Sequence, residues 1–106
     1  MSDLGELRDG MREFTDKRDW SSFHDPKSVL LALVGEVGEL AELLQWLPAD
    51  DVTELAKGAA LEARLGEELS DVLLYLVLLA DVLDIDLGAA ARAKLADNER
   101  RFQIEK

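Results

Sequence analysis

Residues 31–43 read LALVGEVGELAEL, in which apolar residues recur at the three- and four-residue steps of one helix face. Acidic residues interrupt this run at Glu36, Glu39 and Glu42. At about 100° per residue, Glu36 falls inside the apolar face, Glu39 on its edge and Glu42 on the polar side. The stretch therefore predicts a helix that turns two carboxylates towards the side on which it packs.

Residues 67–75 read EELSDVLLY and repeat this arrangement in a second leucine-rich helix. Helical geometry places Glu68 among the apolar side chains and Asp71 one step to the side. Two carboxylates three positions apart project from one face of a helix, so each of the two helices supplies a pair. The two stretches together predict four carboxylates near a helix–helix contact.

Ionised carboxylates are costly to bury unless a partner compensates their charge. Residues 29–47 contain no Lys or Arg, so the first of the two helices supplies no such partner itself. A divalent cation such as Mg²⁺ or Mn²⁺, which prefers hard oxygen ligands, is the compensation that this pattern favours. The alternative, that the acids are solvated residues of ordinary helices, stays open from the pattern alone.

The composition narrows the classes of function. The 106 residues carry 12 Lys and Arg against 23 Asp and Glu, a net charge of −11. Such a surface repels the phosphates of a nucleic-acid polymer, whereas a small anion bound together with Mg²⁺ remains compatible with it. The lack of cysteine excludes disulfides and thiol nucleophiles, and a single histidine excludes zinc sites built on several imidazoles.

Neither a targeting segment nor a membrane span is predicted. The N-terminal residues MSDLGE lack a basic region followed by an apolar run, so they do not resemble a signal peptide. The longest apolar run, residues 72–80, is far shorter than the ~20 residues of a spanning helix. We therefore expect a cytoplasmic protein with no membrane partner.

Helical spacing is present throughout the chain, and no useful stretch alternates with the period of a strand. Asp25 before Pro26 is typical of a helix N-cap followed by a first-turn proline, and Asp86 can cap the last helix. We expect helices over residues 3–17, 26–47, 50–57, 59–83 and 87–102, with an aromatic loop at 20–24. The sequence therefore predicts an all-α fold in a single domain, residues 1–106.

The helix predicted at 59–83 is apolar on nearly all sides over residues 72–83. Such a helix must be surrounded by other helices, and one short chain supplies too few of them. We therefore expect a homo-oligomer in which helices of two chains complete a four-helix core.

The acidic stretches resemble the paired motif of the all-α nucleoside triphosphate pyrophosphohydrolases related to MazG. That motif is a Glu-Glu-x-x-Glu run, a variable spacer and then Glu-x-x-Asp, and here 28 residues separate Glu39 from Glu68. Gly35 stands where the broader motif has its first glutamate. The dCTP pyrophosphatase-like branch tends to have glycine there, so the resemblance favours this branch.

The resemblance extends over about residues 11–102 and implies a MazG-like helical bundle with a Mg²⁺-dependent activity, Mn²⁺ being a possible substitute. It implies cleavage of dCTP or a modified pyrimidine deoxynucleoside triphosphate to the monophosphate and pyrophosphate, as nucleotide-pool house-cleaning. Carried over residue by residue, the implied metal ligands and catalytic residues are Glu36, Glu39, Glu68 and Asp71. Which of them orients or deprotonates the attacking water stays open, with Glu39 as the first choice.

Lys94, Asn98 and Arg101 recur at i, i+4 and i+7 of the last predicted helix. Taken alone, this pattern is more often a solvated face with positive charge near a helix C-terminus. Relatives often carry the same Lys-x-x-x-Asn-x-x-Arg run, so the resemblance favours binding of the triphosphate, with Lys as a point charge and Arg as a fork.

Three aromatic residues, Trp20, Trp46 and Tyr75, each lie near an end of the predicted acidic helices. They could stack on a pyrimidine ring, with His24 reading the edge of the base. Packing in the core is an equally good role for each of them taken separately. Met11 stands where the dCTP pyrophosphatase-like branch can carry a histidine, so the preferred base stays open.

Three functions follow from the sequence. The first is a pyrophosphohydrolase of dCTP or modified pyrimidine nucleotides, and the second is a broad-specificity or phosphoribosyl-ATP pyrophosphohydrolase. The third is a non-enzymatic helical oligomerisation module whose acids are structural. Relatives form dimers and tetramers, and among these we expect the tetramer.

Overall fold

The computed structural model describes residues 3–104, and all regular structure in this range is helical. The elements in chain order are α1 (Asp3–Lys17), a 3₁₀ turn (Ser21–Phe23), α2 (Pro26–Leu44), α3 (Val52–Leu55), α4 (Ala59–Val82) and α5 (Leu87–Arg101). None of these helices is both long and apolar enough to cross a lipid bilayer. The expected all-α fold class is confirmed.

The predicted helix boundaries agree closely with the structure except between α2 and α4. Helix α2 ends at Leu44 rather than near Leu47, and the chain continues in turns up to Pro48. The ring of a proline disfavours the α conformation of the preceding residue, which explains why the helix does not continue to Leu47. Helix α3 is also shorter than the predicted range of residues 50–57 and covers only Val52–Leu55.

Both predicted N-caps are present. The carboxylate of Asp25 accepts hydrogen bonds from the Ser28 backbone N–H at 2.9 Å and from the Ser28 hydroxyl at 2.7 Å. These bonds, the backbone one first, hold the pKa of Asp25 below its usual value. The carboxylate of Asp86 likewise accepts from the Ala89 N–H at 3.0 Å. Each cap satisfies a backbone donor that a helix start leaves unpaired.

The C-terminus of α1 closes in a turn that depends on a left-handed residue. Asp19 has φ 53°, and its N–H donates to the carbonyl oxygen of Asp16 at 3.2 Å. The next N–H, that of Trp20, reaches back to the carbonyl oxygen of Thr15 at 3.0 Å. This is the Schellman arrangement, which satisfies carbonyls at a helix end. Asp84, with φ 59°, adopts the same left-handed conformation after α4.

The core lies mainly between α2 and α4, which form the most extensive helix contact in the described chain. Its buried apolar side chains are Val29, Val77, Leu78 and Ala80. Helix α1 packs on α4, where the Arg12 guanidinium Nε donates to a carboxylate oxygen of Asp81 at 2.9 Å. Helix α5 contacts α1. The α2–α4 pair is therefore the centre to which the other helices attach.

A single chain leaves much apolar surface uncovered. The radius of gyration is 17.0 Å, against about 13 Å for a compact domain of this length. Among the exposed apolar side chains of α2 and α4 are Leu30, Leu31, Val34, Val37, Leu69, Leu73 and Leu76. The apolar helix that should be surrounded is thus covered on only part of its circumference.

Candidate metal centre

Helices α2 and α4 bring Glu36, Glu39 and Glu68 together. One carboxylate oxygen of each residue lies within 4.8 Å of one from each of the others. Glu36 and Glu39 are three positions apart on α2 and so share one face of that helix, whereas Glu68 comes from α4. The contact between the two helices therefore creates the cluster, which we call the carboxylate cluster.

Two oxygen atoms of the carboxylate cluster have no hydrogen-bond partner among residues 3–104. Glu36 and Glu68 are half-buried, and the Oε2 atom of each is shielded from solvent and unpaired within the described part of the chain. Glu39 is exposed. Nearly all buried polar atoms in proteins have a partner, so two such oxygens in one cluster point to a compensating group.

The electrostatics of the carboxylate cluster oppose ionisation. Burial first, and then the negative charge of Glu39, raise the pKa of both Glu36 and Glu68 above the usual value for glutamate. Asp71 acts in the same direction on both residues. The positive charge of Arg64 lowers the pKa of Glu68 but is the weakest of these influences. The protein itself therefore supplies little compensation for the assembled negative charge.

Asp71 lies at the edge of the carboxylate cluster. It is exposed and does not belong to the group of carboxylates within 4.8 Å, although its charge acts on Glu36 and Glu68. It follows Glu68 by three positions on α4 and so projects from the same side of that helix. The structure thus groups three of the four acids that the sequence singled out and leaves the fourth beside them.

The donor set fits a hard divalent cation. Mg²⁺ takes oxygen ligands, keeps several waters, and is usually bound through a few carboxylates together with substrate phosphates. The three clustered glutamates offer oxygen donors only, and the unpaired Oε2 atoms of Glu36 and Glu68 are already desolvated. The residues of the carboxylate cluster therefore suit such an ion, and they would hold it between α2 and α4.

The three residues singled out for phosphate binding lie on α5. Lys94 and Arg101 are exposed, and Asn98 is half-buried. Within the described chain neither cation forms an ion pair, whereas the neighbouring Arg100 pairs with Asp97 at 3.3 Å. Helix α5 packs on α1 rather than extensively on α2 or α4. The packing of α5 thus does not by itself place these residues beside the carboxylate cluster.

The four candidate base-binding residues differ in their surroundings. Trp46, just beyond the end of α2, has 84% of its surface exposed, so it does not close the core of a single chain. Trp20 is half-exposed and follows α1. Tyr75 is half-buried on α4, one turn beyond Asp71. His24 is half-buried directly after the 3₁₀ turn.

Sequence reasoning missed one side chain in this region, that of Arg18. Its guanidinium carbon lies 3.6 Å from the ring centroid of Phe14 and 5.9 Å from that of Trp20. The i, i+4 spacing of Phe14 and Arg18 along α1 is the signal that could have revealed the contact. The cluster of two rings and one cation lies at the C-terminal end of α1.

Comparison with known proteins extends this description. The MazG nucleotide pyrophosphohydrolase domain matches residues 24–103, a range that includes both acidic stretches and the Lys94–Arg101 run. The chain belongs to the MazG nucleotide pyrophosphohydrolase family. The recognition made from residues 31–43 and 67–75 is thereby confirmed.

Two curated relatives of this MazG chain are mammalian. The dCTP pyrophosphatase 1 of Bos taurus is 48% identical over 101 residues, which are 95% of this chain and 60% of the bovine protein. The human dCTP pyrophosphatase 1 is 48% identical over 99 residues, 93% of this chain and 58% of the human protein. The MazG chain thus spans about three fifths of the length of these relatives.

A solved structure supports the fold of the MazG chain. The crystal structure of a pyrophosphatase from Archaeoglobus fulgidus superposes with a TM-score of 0.87 at 35% sequence identity. The similarity covers 98% of this chain and 95% of that one. The expected MazG-like helical fold is therefore confirmed.

If the carboxylate cluster holds a divalent cation, Mg²⁺ should stabilise the folded chain. Binding to the folded state alone, at about 100 times Kd, adds about 2.7 kcal/mol to the free energy of unfolding. We expect the melting temperature, measured by calorimetry against an EDTA reference, to rise on titration with Mg²⁺ or Mn²⁺. The Glu36→Gln variant should lose this response, because it removes a ligand charge from the cluster.

Glu42→Gln is the matched control for this titration. Glu42 lies on the same helix and is exposed, outside the group within 4.8 Å. Its replacement should leave the metal response intact. An equal response in the Glu36→Gln and Glu42→Gln variants would contradict a metal site at the carboxylate cluster.

Proposed function

We propose that this chain is a Mg²⁺-dependent nucleoside triphosphate pyrophosphohydrolase. Its substrate in this proposal is dCTP or a modified pyrimidine deoxynucleoside triphosphate, and its products are the monophosphate and pyrophosphate. The observation that carries the proposal is the carboxylate cluster, with two shielded and unpaired oxygens on facing helices. The names of its mammalian relatives, dCTP pyrophosphatase 1, support the choice of substrate.

The reaction adds one water across the phosphoanhydride bond between the α and β phosphates. Bound Mg²⁺ would neutralise phosphate charge and lower the pKa of a coordinated water. In this proposal Glu36 and Glu68 hold the ion through their shielded oxygens, and Asp71 completes the set from its edge. Glu39, which is exposed, orients the attacking water or accepts its proton.

The triphosphate tail is proposed to bind to α5. Lys94 and Arg101 are exposed cations without an ion-pair partner in the described chain, so they can pair with phosphate oxygens at little cost. A guanidinium binds two phosphate oxygens at once, whereas an ammonium acts as a point charge. Asn98, between them on the same face, can donate a further hydrogen bond.

The base is proposed to stack on aromatic residues: Trp46 beyond the end of α2, Trp20 after α1 and Tyr75 on α4. Trp46 is largely exposed, and Trp20 and Tyr75 each keep part of their rings accessible. Every base has a flat face, so stacking supplies affinity. Differences in stacking strength add a modest preference among bases, which contacts to the edge of the base sharpen. His24, which has both a donor and an acceptor nitrogen when neutral, is proposed to make such a contact.

We propose that residues 1–106 act as one MazG-like domain within a homo-oligomer, a tetramer in preference to a dimer. Seven leucine and valine side chains of α2 and α4 are exposed, whereas exposed apolar residues of soluble monomers are usually scattered singly. The radius of gyration of 17.0 Å agrees with a chain that is completed by others. Nucleoside triphosphates are used inside cells, so we place the activity in the cytoplasm, in nucleotide-pool house-cleaning.

Removal of the carboxylates should abolish turnover. We expect Glu36→Ala, Glu39→Ala, Glu68→Ala and Asp71→Ala each to eliminate or severely reduce the release of pyrophosphate from dCTP with Mg²⁺. The chain should stay folded by circular dichroism, because removing one of several clustered like charges relieves repulsion. Glu42→Ala should keep the parent activity.

A panel of nucleotides decides among the candidate functions in the same assay, which should detect pyrophosphate rather than orthophosphate. Preference for dCTP or its modified forms supports the proposal. Equal turnover of all triphosphates would indicate a broad-specificity enzyme instead. Turnover of phosphoribosyl-ATP alone would indicate a phosphoribosyl-ATP pyrophosphohydrolase. Absence of pyrophosphate from every nucleotide would contradict the proposed enzyme and favour the oligomerisation module.

The two ends of the nucleotide should respond to different variants. Lys94→Ala and Arg101→Ala remove contacts to the β and γ phosphates and should weaken triphosphate binding by roughly 10- to 100-fold relative to the monophosphate. Trp46→Ala and Tyr75→Ala should instead reduce discrimination among bases, since a stacking contact is worth about 1–3 kcal/mol per base. Calorimetric titration of each variant with monophosphates and non-hydrolysable triphosphates of different bases separates the two effects.

The opposite pattern would contradict this orientation of the substrate. Loss of base discrimination in the Lys94→Ala and Arg101→Ala variants would place the base, and not the phosphates, at α5. Unchanged affinity in all four variants would remove these residues from the site.

Oligomerisation should depend on the apolar side chains of α4. Sedimentation equilibrium is expected to give four times the chain mass of 11.8 kDa. Leu73→Glu should shift the mass towards that of smaller species, because a charge would enter an apolar interface. Leu55→Glu, on the short α3, is the control and should leave the mass unchanged. A parent protein that sediments as a single chain would contradict the proposed assembly.

A further inference from the structure

The end of α1 fixes the backbone of Trp20. Asp19 adopts the left-handed conformation, and the N–H of Trp20 donates to the carbonyl of Thr15, whose side chain is buried. In a Schellman turn the second residue after the helix C-cap, which is Arg18 in this chain, commonly packs on the last helical turn. Here that residue is Trp20, and its ring packs on Phe14.

Phe14 and Arg18 both contact the ring of Trp20. Its centroid lies 5.7 Å from that of Phe14 at an interplanar angle of 69°, an edge-to-face arrangement. The guanidinium carbon of Arg18 lies 3.6 Å from the centroid of the Phe14 ring and 5.9 Å from the centroid of the Trp20 ring. Its Nη1 atom donates to the carbonyl oxygen of Phe14 at 3.0 Å. Arg18 is thus fixed at both the ring and the backbone of Phe14.

The role of Arg18 in the folded chain is stacking rather than ion pairing. Its neighbours Lys17 and Arg12 pair with Glu13 and Asp81 respectively, whereas Arg18 forms no ion pair within residues 3–104. A guanidinium is flat and weakly hydrated, so it stacks on aromatic faces more readily than an ammonium does. Stacking on Phe14 keeps the Phe14 ring, and through it the Trp20 ring, in one orientation.

This cluster lies towards the acidic part of α4. Phe14 and Leu74 line the same apolar groove of about 310 Å³ between α1 and α4. Leu74 follows Asp71 by three positions and therefore lies on the same side of α4. The groove that Phe14 lines thus reaches α4 about one helical turn past Asp71, which lies at the edge of the carboxylate cluster.

We propose that Arg18 is a positioning residue for base recognition. It holds Phe14, and Phe14 holds the indole of Trp20 so that one face of the ring can stack on the base; 46% of the surface of Trp20 is exposed. The inference rests on the proposed function, because it requires Trp20 to contact the nucleotide. A side chain that is already ordered loses less conformational entropy on binding. If Trp20 becomes mobile, the affinity for the nucleotide should therefore fall, while the chemical step should not change.

Kinetics of the full chain with dCTP test this role. Arg18→Ala should raise KM by about 2- to 5-fold, the effect of losing one exposed cation–π contact, with kcat unchanged. The matched control is Lys17→Ala, which removes a positive charge from the adjacent position without disturbing the rings. Equal KM increases in the two variants would show an effect of net charge and overturn the proposal.

A second outcome of the kinetics would also overturn it. If Arg18 binds phosphate directly, Arg18→Ala should weaken all triphosphates alike and spare monophosphates. The positioning role instead predicts that the loss is greatest for the base that stacks best and is shared by the corresponding monophosphate.

A spectroscopic measurement separates this inference from the proposed function, because it needs no turnover. The chain has two tryptophans, so Trp46→Phe leaves Trp20 as the sole fluorophore. In that background and without nucleotide, Arg18→Ala should increase acrylamide quenching and lower the fluorescence anisotropy of Trp20, whereas Lys17→Ala should change neither. Unchanged quenching and anisotropy in the Arg18→Ala variant would overturn the positioning role whether or not the chain hydrolyses nucleotides.

Discussion

The packing of α2 against α4 forces three carboxylates into one small volume, and the rest of the structure depends on this contact. Apolar burial at Val29, Val77 and Leu78 drives the two helices together. The same approach places Glu36, Glu39 and Glu68 within 4.8 Å of one another and shields two of their oxygens. The hydrophobic contact thus holds the carboxylates together despite their mutual repulsion, which a bound divalent cation would compensate.

Helices α2 and α4 have apolar residues on two sides, one that forms the core and one that is exposed in the single chain. One side of α4 supplies the core, while Leu69, Leu73 and Leu76 remain exposed in the single chain. A short chain has a high ratio of surface to volume and cannot cover a helix that is apolar on nearly all sides. The expanded radius of gyration reflects this lack of cover. The candidate metal centre is therefore built on a pair of helices whose outer faces suit further helices.

The outer helices contribute in different ways. Helix α1 is tied to α4 by the Arg12–Asp81 ion pair and ends in a turn that fixes the backbone of Trp20. Helix α5 starts at a capped aspartate, packs on α1 and exposes its cations. The structure thus presents an aromatic group at the end of α1 and a cationic group on α5, in addition to the acidic residues of α2 and α4. In the proposed function the aromatic group binds the base, the cationic group binds the triphosphate tail and the carboxylates bind the metal ion.

The sequence by itself determined the helices and the identity of the acidic pairs. The caps at Asp25 and Asp86 and the spacing of apolar residues depend on neighbours within one or two turns, so they can be read along the chain. The end of α2 is also governed locally, and it lies at Leu44, three residues before the end predicted from Pro48. The spacing of the acids within each pair, likewise local, also carried the resemblance to the family.

Only the tertiary structure decided which of these residues meet. Glu36 and Glu68 are half-buried with unpaired oxygens while Asp71 stays at the edge, and α5 packs on α1 rather than along the acidic helices. The reason is physical: a helical period fixes the direction of a side chain on its own helix, whereas the separation between helices is set by the packing of residues far apart in sequence.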